Sequence, residues 1–264
     1  MEWQVSRACA RGWRFNAACA TRNAGCGTRR GQGGNALDRM RAPLIDPERM
    51  SRIALVAGHT GLVGHHLLAA LLEDQSYDGI KAVGRRPPAF EHPRLQLIQT
   101  ELGDLRQCQD RLQGDDAFCC LGTTQKAAGS RTAFERVDFH MVVDFARVAH
   151  AAGARRLFLV SSLSASARSP VYYSRVKGRT ERAVSDIGYD TVHVVRPSLL
   201  LGARQDARPG EALAQRLAPI LNALIPHPLR RYRAVPAIEV AQALVTLAQR
   251  QQSGTHIHHL PLDA

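Results

Sequence analysis

Hydrophobic positions along this chain follow two alternating rhythms. From Arg52 onward, short apolar runs bounded by glycine, proline or polar turns alternate with longer stretches whose apolar residues recur every three or four positions. The runs Ile53–Ala57, Ile80–Val83, Leu95–Ile98, Ala117–Leu121, Leu157–Val160 and Thr191–Val195 are predicted strands, as is the more polar His256–Leu260. Helical spacing predicts helices over Leu62–Leu72, Phe134–Ala151, Tyr172–Val184 and Pro236–Gln249. In the second of these, Phe134, Val137, Met141, Val142, Phe145 and Val148 make one apolar stripe. Strands that are apolar throughout are buried on both faces, and strand–helix alternation supplies the helices that cover them. The predicted fold is therefore α/β, a single doubly wound parallel sheet with helices on both faces, over residues 50–264.

Residues 1–49 break this pattern. They are rich in arginine, alanine and glycine, hold both tryptophans (Trp3 and Trp13), and show neither rhythm. Three readings are open: an organellar transit peptide, a flexible basic arm for a polyanion, and a start codon assigned upstream of a true start at Met50. The third is preferred because the domain pattern begins abruptly at Ser51, and disorder is the expectation under each.

Composition narrows the function classes. At 264 residues with 45% hydrophobic and 22% charged, the chain has ample material for a large core. No apolar run approaches the roughly 18 residues that a membrane-spanning helix needs. A net charge of +12 invites a nucleic-acid reading. However, lysine occurs only at Lys81, Lys126 and Lys177, every other cation is arginine, and finger spacings, basic heptads and aromatic RNA-binding signatures are missing. Incidental basicity is the expectation, without specific nucleic-acid binding. The cysteines, Cys9, Cys19, Cys26, Cys108, Cys119 and Cys120, include no C-x-x-C pair. Reduced thiols in a cytoplasmic protein are expected. His256, His258 and His259 alternate in the last strand with no carboxylate or cysteine at ligand spacing, so no metal site is predicted.

The first strand runs into Gly58-His59-Thr60-Gly61-Leu62-Val63-Gly64 and then a helix. In such a strand–loop–helix, the first glycine permits the tight turn. The second lets backbone approach a pyrophosphate, and the third lets helix and strand pack closely. Free N–H groups at the helix start then meet the phosphate charge. Gly58, Thr60, Gly61, Leu62, Val63 and Gly64 are the cofactor-binding candidates of this loop, against the bland reading of a structural turn. The second strand ends at Gly84-Arg85-Arg86-Pro87. An acidic residue there would take a free ribose 2′-OH, whereas Arg85 and Arg86 suit a 2′-phosphate. NADP(H) is thus expected over NAD(H), the alternative being two more surface arginines. Asp104 is a candidate for the adenine amine, or a plain loop aspartate.

After the fifth strand come Ser161 and Ser162, and the next helix carries Tyr173-Ser174-Arg175-Val176-Lys177. A separation of four places Tyr173 and Lys177 on one helical face. An ammonium beside a phenol favours phenolate, which makes a tyrosine usable as general acid or base. A serine at the strand end can donate to a carbonyl oxygen as charge develops. Y-x-x-x-K also occurs by chance on exposed helices, but here both elements leave the carboxyl edge of the sheet, where ligands bind.

With Gly58–Gly64, Tyr173-x-x-x-Lys177 and the preceding serines, the chain resembles the short-chain dehydrogenase/reductase superfamily. More narrowly it resembles the atypical branch related to the Tat-interacting-protein oxidoreductases. That narrower likeness rests on Phe118–Thr124, Val160-Ser161-Ser162, Arg196–Gly202 and Arg204–Glu211, within a match running from Met50 to Ala264. The resemblance implies a Rossmann domain binding NADP(H), with Tyr173 and Lys177 as the catalytic pair and Ser162 as the serine. It also implies that Lys177 holds the nicotinamide ribose, with Leu121 and Gly122 at the cofactor. Thr123, Arg196, Pro197, Arg204 and Arg208 are the substrate-pocket candidates, for an anionic or carbonyl substrate. An internally salt-bridged loop is the alternative for Arg204–Glu211. Asp138 stands where many relatives carry an asparagine. Some members of the branch are discussed as regulators, so an NADPH-binding protein with a protein partner stands beside the carbonyl reductase.

Overall fold

The computed structural model describes residues 52–202 and 225–262. Its strands are β1 (Ile53–Ala57), β2 (Gly79–Gly84), β3 (Leu95–Gln99), β4 (Asp116–Cys119), β5 (Arg156–Val160), β6 (Thr191–Arg196), β7 (Leu200–Leu201), β8 (Val235–Pro236) and β9 (Gly254–His259). The helices are α1 (Leu62–Glu73), α2 (Gln125–Ala128), α3 (Arg131–Glu135), α4 (Val142–Ala151), α5 (Tyr172–Ser185) and α6 (Ala237–Ala248). Seven strands form one parallel sheet in the order β3-β2-β1-β4-β5-β6-β9, while β7 and β8 pair separately. The order reverses between β1 and β4, so a crevice opens above their carboxyl ends. The doubly wound expectation is met, and the predicted strand and helix limits fall within two residues of those observed, except in the longest helix.

Alternation along each strand divides the core between the two faces of the sheet. Val56, Phe118 and Phe158 pack with Leu67, Leu71, Val240 and Leu244 of α1 and α6. Leu55, Ala57 and Leu157 pack with Phe145 and Val148 of α4 and with Val184 of α5. A row of rings crosses β4, β5, β6 and β9. Phe118 stacks on Phe158 at 4.6 Å, Phe158 on His193 at 5.2 Å, and His193 on His256 at 5.3 Å. At the opposite edge from the crevice, the buried Asp116 carboxylate accepts from Arg52 and Tyr77 and, at 2.6 Å to each oxygen, from Arg156. This knot ties the amino ends of β1, β4 and β5 together.

The predicted helix Phe134–Ala151 is interrupted: α3 leads through a π-helical turn, Arg136–Met141, into α4. Such a turn displaces backbone carbonyls from their usual partners. One of them, the Asp138 carbonyl, accepts from the Thr180 hydroxyl of α5 at 2.7 Å. The turn also leaves the Asp138 side chain fully buried. No helix of the described residues is long and apolar enough to cross a membrane. Among those residues no group of three or more potential ligands is arranged to hold a metal.

Candidate functional site

Close backbone packing shapes the glycine loop between β1 and α1. Gly58 has φ +81°, and a Cβ there would lie 2.6 Å from the carbonyl carbon of Cys120. A Cβ on Gly64 would lie 2.2 Å from the Gly58 oxygen. Both sites therefore need glycine, and their role is to let the loop close down on β4 and on itself. The Gly61 N–H donates to the Gly58 oxygen at 2.9 Å. The next N–H groups, at the start of α1, precede the first intrahelical bonds and are available to an anion.

The loop forms one wall of a cleft of about 670 Å³. Thr60, Gly61, Leu62 and Val63 line it from the loop, Leu121, Gly122 and Thr123 from the end of β4, and Arg86 from the end of β2. Tyr173 and Lys177 line it from α5. Ten of the expected site residues thus meet in one space. Backbone crowded to glycine, free helix-start N–H groups, an arginine at the mouth and a buried ammonium suit an elongated, polyanionic dinucleotide.

Other expected residues lie elsewhere. Arg85, just past the end of β2, is exposed and extends towards Glu101 at 3.8 Å, because consecutive extended residues point opposite ways. Arg86 alone of the pair reaches the loop, where its Nη2 donates to Thr60 Oγ1 at 3.0 Å. Asp104 is exposed, next to the 3-10 turn Leu105–Arg111, and is not among the cleft-lining residues. Arg196 is committed to an ion pair: its Nη2 donates to Glu181 Oε2 at 2.5 Å and its Nε to Oε1 at 3.0 Å. Pro197 contributes its carbonyl to the Leu163 N–H at 2.9 Å. Neither of these last two residues lines the cleft. Arg204, Arg208 and residues 1–49 lie outside the described residues.

Of the two serines, Ser161 lines the cleft, and its hydroxyl donates to Glu181 at 2.5 Å. Ser162 is half-buried, with its hydroxyl 3.4 Å from that of Ser164, which accepts from Ser174 at 2.9 Å. Ser162 is therefore the less committed hydroxyl, although it is not itself among the lining residues.

The tyrosine–lysine pair sits on the inner face of α5. Tyr173 packs on Phe134 with ring centres 5.4 Å apart. Tyr172 turns away and donates to Glu135 Oε2 at 2.8 Å. Lys177 is buried, and its Nζ lies 2.7 Å from Asp138 Oδ1. Asp138 Oδ2 accepts the Thr123 N–H at 2.9 Å, so one carboxylate joins the lysine to the β4 loop. Burial, the largest influence, pulls the Lys177 pKa down, but the charges of Asp138 and then Tyr173 together outweigh it and hold the pKa above the ordinary lysine value. The ammonium is thus permanent, and it stands beside a phenol at the wall of the cleft. This arrangement can move a proton to or from an oxygen placed against Tyr173.

Two parts of the site were missed from the sequence. Glu181 lies four residues beyond Lys177, on the same face as Tyr173, and that spacing was a readable signal for a third polar group. The burial of His59 carried no such signal.

Residues 58–217 match the family model described as NAD(P)H-binding. Protein HTATIP2 of Rattus norvegicus is 33% identical over 204 residues, covering 76% of this chain and 82% of that protein. The mitochondrial protein fmp52 of Emericella nidulans is 32% identical over 180 residues, covering 66% and 77%. Among solved structures, MoeE5 in complex with UDP-glucose and NAD superposes with a TM-score of 0.59 at 19% identity, over 78% of this chain and 74% of that one. The UDP-N-acetylglucosamine 4-epimerase of Methanobrevibacter ruminantium M1 gives 0.61 at 16% identity, over 80% and 77%. At such identities the structural likeness establishes the fold alone.

Proposed function

The chain belongs to the NAD(P)H-binding family, in the HTATIP2 branch of the atypical short-chain dehydrogenase/reductases, and on that footing we propose that it is an NADPH-dependent reductase of small carbonyl compounds. The observation that carries this reading is the meeting of the glycine loop with Tyr173 and Lys177 in one cleft. Thr60, Gly61, Leu62 and Val63 would receive the pyrophosphate, Arg86 the 2′-phosphate, and Lys177 the nicotinamide ribose. The preference for NADP(H) over NAD(H) rests on Arg86, which already faces the loop.

When bound, NADPH supplies the hydride that reduces the carbonyl carbon. The carbonyl oxygen takes the Tyr173 hydroxyl proton, giving the alcohol. The Lys177 ammonium steadies the phenolate left behind, which regains its proton from water. Ser162 would donate to the same oxygen. Leu121, Gly122 and Thr123 close the cleft on the side of β4.

The Asp138–Lys177 pair favours a second reading. A carboxylate 2.7 Å from the ammonium offsets part of its pull on the phenol. A protein of this kind would bind NADPH, turn over little, and use the bound cofactor to order a surface for a protein partner. The expected compartment is the cytoplasm, and the mitochondrial label of the fmp52 relatives makes cell fractionation the deciding assay there.

The test of function is a panel of aldehydes and ketones with NADPH, run on the wild type and on Tyr173→Phe. The variant should bind NADPH normally and lose at least about a hundredfold in kcat. Wild-type turnover that survives the substitution would refute the assignment of Tyr173. A wild type that binds NADPH and reduces nothing in the panel would favour the second reading.

A further inference from the structure

We propose that His59 is a positioning residue that sets the preference for NADP(H), by clamping Arg86 against the glycine loop before the cofactor arrives. The inference rests on the NADP(H) reading above and adds to it a residue of the same cleft wall, one that acts through Arg86. His59 follows the first glycine of the loop and is only 3% exposed. Its Nε2 lies 2.9 Å from the carbonyl oxygen of Arg86, which is 27 positions along the chain. A carbonyl can only accept, so Nε2 carries a hydrogen. Burial, the largest influence, holds His59 below the ordinary imidazole pKa, against the carbonyls of Arg86 and Val83, which favour the protonated ring.

The next residue along grips the other end of Arg86. Thr60 Oγ1 accepts from Arg86 Nη2 at 3.0 Å, so His59 and Thr60 together hold the carbonyl and the guanidinium. Pro87 follows Arg86 and restricts its backbone to extended conformations. Glycine at residue 84 eases the fit of the imidazole, since a Cβ there would lie 3.1 Å from His59 Cε1 and the ring would have to shift by a few tenths of an ångström. An exposed arginine normally loses considerable freedom when it binds a phosphate. Here much of that loss is met in advance, and only a cofactor carrying a 2′-phosphate benefits. Without His59 the Arg86 backbone is released, and the benefit goes with it.

The experiment is calorimetric titration of the full chain with NADPH and with NADH, for wild type, His59→Ala, His59→Gln, Arg86→Ala and the His59→Ala/Arg86→Ala double variant. Thermal melting monitors the fold. His59→Ala should weaken NADPH by about five- to tenfold and leave NADH unchanged. His59→Gln, which retains a donor at similar reach, should keep most of the preference. The double variant should be no worse than Arg86→Ala. Equal weakening of both cofactors in His59→Ala would overturn the proposal. Should His59→Ala not fold, loss of preference in a folded His59→Gln would overturn it instead. A wild type with no preference for NADPH would refute the underlying NADP(H) reading, and that failure is visible separately.

Discussion

Replacing His193 with phenylalanine probes the acid sensitivity built into the far side of the sheet. His193, on β6, is fully buried, stacks on Phe158, and places Nδ1 2.9 Å from Nε2 of His258. Its own Nε2 is buried without a hydrogen-bond partner among the described residues, so the hydrogen belongs on Nδ1, which donates to His258. Burial first, and then the charges of His258, His256 and Arg250, push its pKa down to about 4. An unfolded imidazole titrates near 6.5. Above that pH both states are neutral and the contribution to stability is fully present. As the pH falls below it, the unfolded chain takes up a proton that the folded chain refuses, and stability is lost until the folded pKa is reached. Between pH 7 and about pH 4.5 the loss amounts to about 2.5 kcal/mol, at roughly 1.36 kcal/mol per pH unit. Urea unfolding followed by circular dichroism at those two pH values gives the wild-type loss. His193→Phe extends the Phe118–Phe158 row and has no proton to refuse, so it should lose about 2.5 kcal/mol less than wild type over the same interval. The comparison cancels the titration of distant groups. Parallel losses in the two proteins would refute the reasoning.

Two further substitutions test the site. Asp138→Ala leaves the Lys177 ammonium buried without its carboxylate and should cost about 3–5 kcal/mol in urea unfolding, much of it restored by adding Lys177→Met. A single-variant cost no larger than that of an exposed substitution would mean the pair contributes nothing. Gly64→Ala places a methyl group 2.2 Å from the Gly58 oxygen, so the loop must move. Cofactor affinity should fall at least about tenfold by calorimetry, alongside a destabilisation of about 1–3 kcal/mol, and unchanged affinity would contradict the close-packing argument.

Much of the architecture was legible in the pattern alone. The apolar runs at Ile53–Ala57 and Leu157–Val160 differ from the observed strands by at most one residue, because a strand buried on both faces leaves no polar position to obscure it. Tyr173 and Lys177 could be placed on one face of α5 from their spacing. The π-helical turn was not legible: the stripe from Phe134 to Val148 fits an unbroken helix, and what holds the turn is the Thr180 hydroxyl on another helix. Arg196 reads as a substrate-pocket candidate from the sequence, and its ion pair with Glu181, 15 positions back, was not legible there. Arg85 and Arg86 were equivalent as letters, and the end of β2 made them different.

What the sequence by itself determined is what depends on near neighbours: the strand and helix spans, the glycine loop, and the tyrosine–lysine face. Periodicity and backbone stereochemistry act over a few residues and leave their mark in the order of the letters. The tertiary structure alone decided which polar groups meet. Lys177 with Asp138 spans 39 positions, Arg86 with His59 spans 27, and His193 with His258 spans 65. Each of these contacts depends on the packing of elements distant in sequence. A shift of one residue in strand register sends a side chain to the opposite face of the sheet, and no local pattern records that choice.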